Sequence, residues 1–84
     1  MADFGPAYIG VPSIRHGKNS KADTETIETG LGTVDVFVAN ASTAGYIVTV
    51  TSISAGTVTI GLTDYNGTTV AVAEDIYWIA VGRP

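Results

Sequence analysis

Apolar and polar residues alternate with a period of two through most of this chain from Thr33 onward, the spacing of strands that bury one face. Residues 33–39 predict a strand with Val34, Val36 and Val38 toward the core. Phe37 is expected on the outer face, beside Asp35. Tyr46–Ile53 and Thr57–Thr63 predict two more strands, joined through Ser54, Ala55 and Gly56 as a hairpin. In the second of these, Val58, Ile60 and Leu62 point inward and Thr57, Thr59, Gly61 and Thr63 point out. Asp64-Tyr65-Asn66-Gly67 contains Asn-Gly, a strong hairpin signal because both residues tolerate positive φ, and it leads into an expected strand over Thr68–Ala73. The closing strand differs from the others. Its run Ile76–Val81 is apolar at every position, with Ile76, Trp78 and Ala80 on one face and Tyr77, Ile79 and Val81 on the other. Both faces therefore call for cover.

The first third is less regular. Gly5, Pro6, Gly10 and Pro12 break helices and remove ladder donors, so residues 1–14 read as an extended arm that lies on an edge or on a neighbouring subunit. Tyr8, Ile9, Val11 and Ile14 are apolar enough to need a surface, and the first three are its candidate contacts. Arg15–Lys21 holds Arg15, His16, Lys18 and Lys21 around Gly17 and Asn19, and reads as a basic loop that offers those four side chains to a polar partner. Asp23–Thr29 alternates around one strong hydrophobe, Ile27, and predicts an exposed edge strand guarded by acids. The organisation is thus an arm over 1–14 and one domain over 15–84. The fold class is all-β: a small antiparallel β-sandwich of about six to seven strands with an N-terminal extended arm.

Composition supports that class and adds a problem. The chain is 45% apolar and only 14% charged, the opposite of a disordered balance. At 84 residues it is one domain, too small to bury its surface efficiently, and with no Cys it has no disulfide to help. Association with other chains is the expected remedy. The net charge of −4 argues against nucleic-acid binding. No stretch approaches the length of a membrane helix, so no membrane partner is expected. The start lacks the basic and apolar pattern of a signal peptide, so synthesis in the cytosol without a leader is expected.

Catalytic chemistry finds little support. His16 is the one histidine, and with Ser13 or Ser20 and Asp3 or Asp23 it could complete a triad on paper, but its setting of Gly, Lys and Asn offers no rigid support. Asp64-Tyr65-Asn66-Gly67 resembles the start of a calcium loop but lacks the later ligands, and a turn explains it better. The reading is of a non-enzyme with no cofactor, no metal site and no catalytic residue. Its candidate subunit interface is Tyr8, Ile9, Val11, Phe37, Tyr77, Ile79 and Val81.

The ending Ile76-Tyr77-Trp78-Ile79-Ala80-Val81-Gly82 resembles the closing strand of the H-type lectin fold, and short phage tail and receptor-binding proteins have similar endings. The order before it is also similar: a valine-rich strand, a loop, Gly45–Val50, a turn and further strands. The resemblance covers roughly residues 33–82. It implies a six-stranded antiparallel sandwich that assembles as trimers or multiples of trimers. Sugar-contacting positions find no match here, so no binding residue is carried over. The expected function is a non-enzymatic virion structural protein, a capsid decoration or tail-associated module, located in a virion or extracellular assembly. Its partners would be itself, as a homotrimer or larger assembly, and other virion proteins. Two alternatives stand beside it. One is an H-type lectin-like module with a glycan as partner. The other is an extracellular filament subunit joined by strand exchange through the arm.

Overall fold

The computed structural model of the protein describes residues 13–84. Six strands form two three-stranded antiparallel sheets, with no helix among the described residues. They are β1 (Ser13–Lys21), β2 (Thr26–Glu28), β3 (Thr33–Ala41), β4 (Tyr46–Ser54), β5 (Thr57–Asp64) and β6 (Glu74–Arg83). The first sheet has the order β1-β6-β3 and the second β2-β5-β4. The expected all-β, two-sheet architecture is therefore present, with β6 and β5 as the central strands.

The core lies between the two central strands. Ile76, Trp78 and Ala80 of β6 are buried, and so are Val58, Ile60 and Leu62 of β5. Ile27 of the short edge strand β2 joins them with no exposed surface. Buried polar groups are matched, as they must be. The Thr29 hydroxyl donates to the Gly56 carbonyl at 2.7 Å and accepts from the Leu31 N–H at 3.2 Å. Beyond β2 the edge of β5 is completed by a side chain, because the Leu62 N–H donates to Asp23 Oδ1 at 2.7 Å.

Several expectations need correcting. Arg15–Lys21 is not a loop but most of β1, paired along its whole length with β6. Gly17 sits opposite Trp78, where an added Cβ would come within 2.9 Å of the indole, and Asn19 Oδ1 accepts the Trp78 Nε1–H at 2.6 Å. These two residues make room for a tryptophan rather than a turn. The expected arm overlaps the same strand, since Ser13 and Ile14 belong to β1; residues 1–12, with Tyr8, Ile9 and Val11, lie outside the described residues.

The second correction concerns β3. Its pairing with β6 slips by one residue between Val34 and Val36, a β-bulge. Val34 stays in the core, but beyond the bulge every side chain exchanges faces. Phe37 points inward and stacks on Trp78 with ring centroids 5.8 Å apart, whereas Val36 and Val38 are exposed. The third lies in Thr68–Ala73, which forms no strand. The Asn66-Gly67 turn closes, with the Gly67 N–H on the Asp64 carbonyl at 3.0 Å. The returning chain then makes only one isolated bridge, Thr69 to Thr63, before Val70 turns into the core.

Candidate interaction face on the first sheet

Register decides which side chains share the outer face of the first sheet. Opposite Val81 of β6 stand Ile14 of β1 and Val36 of β3. Opposite Ile79 stand His16 and Val38, and opposite Tyr77 stand Lys18 and Asn40. Residues paired across a sheet lie on the same face, so these form three transverse rows. Ile14, Val36, Val38, Tyr77 and Ile79 are all exposed, Val38 at 58% and Ile79 at 52%. Scattered exposed hydrophobes need no explanation, but a contiguous set across all three strands marks an interaction surface.

The bulge in β3 makes the patch. Without it Val36 and Val38 would face the core, and Asp35, Phe37 and Ala39 would face solvent. With it, two valines flank the central Ile79 on one side while His16 flanks it on the other. Between the Ile79 and Tyr77 rows lies a shallow depression of about 330 Å³, lined by His16, Val38, Asn40, Tyr77 and Ile79, with the Gly17–Trp78–Ala39 row as its floor.

The charges sit at the margin of this face. Lys18 Nζ is 3.9 Å from Asp75 Oδ2 and 5.8 Å from the centroid of the Tyr77 ring. Arg83 meets Asp35 at 3.4 Å at the other end of the sheet. Both pairs are solvated and are worth well under about 1 kcal/mol each. They bound the apolar patch rather than stabilise the fold.

Of the residues singled out in the sequence, Tyr77, Ile79 and Val81 lie together on this face, while Phe37 lies on the opposite one, under Trp78. The four basic residues do not converge. His16 and Lys18 are on the outer face, and the alternation of β1 sends Arg15 and Lys21 to the other. Ile14, an arm residue in the sequence that needs a surface, joins the patch from β1, and Val36 and Val38, expected in the core, belong to it too. The signal for the two valines is the bulge, which no local motif announces. No set of three or more His, Cys, Asp or Glu side chains is placed to hold a metal ion among the described residues. Asp64 is used locally: its Oδ1 accepts the N–H groups of Asn66 and Thr68, each at 2.9 Å.

Comparison with known proteins finds no matching family model, no similar curated protein and no similar solved structure.

Proposed function

We propose that this protein is a non-enzymatic structural module that works by associating with copies of itself through the outer face of the first sheet. The observation that carries this reading is the three-strand apolar patch of Ile14, Val36, Val38, Tyr77 and Ile79. A patch of this kind on a small domain is costly to leave in water. Each fully covered Val or Ile returns about 1.5–3 kcal/mol, a large share of the stability of so short a chain. Burial against a second copy gives β6 cover on both faces. The setting that the resemblance of residues 76–82 suggests is a virion, with the module as a capsid decoration or tail-associated part, assembled as a trimer or a multiple of one.

Ile79 is at the centre of the patch, so Ile79→Lys is the direct test. Wild-type protein at micromolar concentration is expected to run as an oligomer in size exclusion with light scattering. Ile79→Lys, with unchanged far-ultraviolet circular dichroism, is expected to shift to a smaller species. A wild-type monomer under those conditions overturns the reading.

A further inference from the structure

Among the described residues the two sheets have four edges, and these are not alike. The edge strand β1 carries Arg15, His16, Lys18 and Lys21, so two copies of it repel. β2 is only three residues long and is flanked by Glu25 with Glu28 inside it. β3 carries Asp35 and is interrupted by its bulge. Each has a feature that natural sheets use to discourage edge pairing. β4 is a nine-residue edge strand, Tyr46–Ser54, with no charged residue and no proline. It also lies within a longer tract, Val36–Thr63, that contains no Asp, Glu, Lys, Arg or His. Its own bulge falls between Val50 and Ser52 and leaves Tyr46–Val50 paired residue for residue with Asp64–Ile60. That regular run has the length of an ordinary strand.

A second observation concerns the side of β4 that faces the core. Val50 pairs with Ile60 and Ile53 with Val58, so both share the inward face of the second sheet. Ile60 and Val58 are fully buried, yet Val50 is 42% and Ile53 43% exposed. Val48 of the same strand packs against the core, so the inward face of β4 is covered near its start and open at Val50 and Ile53. Core-facing side chains there still meet water.

We infer that β4 is a pairing edge for a second copy of this chain, joined antiparallel to its own counterpart. Such a contact is isologous: each side chain of the strand meets the same strand again. Any charge on β4 would then lie close to its own copy, and among the described edge strands β4 is the one that carries none. Pairing joins two three-stranded sheets into one continuous sheet, satisfies the outward N–H and C=O groups of the edge, and brings the open core flanks with Val50 and Ile53 beside each other. This contact is separate from the face on the first sheet. Together the two allow an assembly to grow beyond a closed pair, and either can exist without the other.

The test uses the full chain. Ile47 is on the solvent face of β4, opposite Thr63, so Ile47→Lys puts like charges near the two-fold without entering the core. Light scattering is expected to show a smaller species than wild type, with association weakened on the order of tenfold or more. Amide hydrogen exchange on unmodified protein gives a readout that needs no variant. Alternate amides of β4 are expected to be protected in concentrated protein and to lose protection on dilution. Thr49→Lys serves in place of Ile47→Lys if the latter does not fold. A folded β4 variant that keeps the wild-type assembly size, or β4 amides that exchange equally fast at all concentrations, overturns the inference. Loss of assembly in Ile79→Lys but not in Ile47→Lys leaves the first-sheet face standing and removes the edge. The opposite pattern removes the face and leaves the edge.

Discussion

Trp78 brings an indole N–H into the core, and Asn19 receives it at 2.6 Å from the neighbouring strand while Gly17 leaves space for the ring. An unmatched donor at a buried site costs about 1–3 kcal/mol, more than the same hydrogen bond contributes when formed. Asn19→Leu is therefore expected to lower the free energy of unfolding by that amount, read as a lower urea midpoint with an unchanged slope. Asn19→Asp keeps the acceptor and is expected to lose less. An Asn19→Leu protein as stable as wild type would show that the indole finds another partner. In sequence, Gly17 and Asn19 are turn residues by every local rule. Their reason for being there is a tryptophan 59 positions away along the chain. No inspection of residues 15–21 alone supplies it, and this is why local rules make a loop of what is a strand.

At the level of elements, β3 shows where pattern reading succeeds and where it stops. The strand was legible from its alternation, and so was the hairpin of β4 and β5, because a two-residue period with Gly in the connection has few other meanings. The faces of β6 were legible too, since Ile76, Trp78 and Ala80 are buried while Tyr77 and Ile79 are exposed. The phase of β3 was not. Alternation gives two interchangeable faces, and the choice of three valines over one phenylalanine was reversed by the bulge between Val34 and Val36. The physical preference is understandable: a ring that stacks on Trp78 contributes more to a small core than two β-branched side chains at the same positions. A paired substitution tests the register directly. Phe37→Lys is expected to cost about 1.5–3 kcal/mol, because it removes a partly buried ring that packs on Trp78. At a dilution that keeps both proteins monomeric, Val38→Lys is expected to leave thermal stability within about 0.5 kcal/mol of wild type, since it replaces a side chain that is exposed in the single chain. The opposite ranking would restore the uninterrupted register. Thr68–Ala73 shows the complementary error, because its turn forms as expected while its β-rich residues find only one bridge. β-propensity expresses fit to a neighbouring strand, and on the side of β5 that this segment meets, Leu62 and Ile60 are already bonded to Asp23, Thr24 and Glu25.

On the scale of the whole molecule, the charges are confined to one flank and to the ends of the sandwich. Among the described residues, Arg15–Glu28 carries Arg15, Lys18, Lys21, Asp23, Glu25 and Glu28, while Asp64, Glu74 and Asp75 gather at one end, with Asp35 and Arg83 at the other. The patch on the first sheet and the edge of the second are both left without charge between those limits. A net charge of −4 keeps copies apart over distances comparable to the Debye length, about 10 Å at 0.1 M salt, while the uncharged surfaces act only on contact. This fixes the sign of the salt response. If association were held by Lys18, Arg15 or Lys21 on acidic neighbours, added salt would weaken it. With apolar surfaces in contact, salt instead removes the residual repulsion between like-charged copies, and sulfate strengthens burial further. Size-exclusion light scattering across 0.05–1 M sodium chloride (roughly a threefold or greater change in Debye length) is therefore expected to show assembly that persists or increases, with sodium sulfate more effective than chloride at equal ionic strength. Dissociation on raising salt would assign the contact to the basic strand β1 and its ion pairs, and would take the function away from Ile79 and its neighbours.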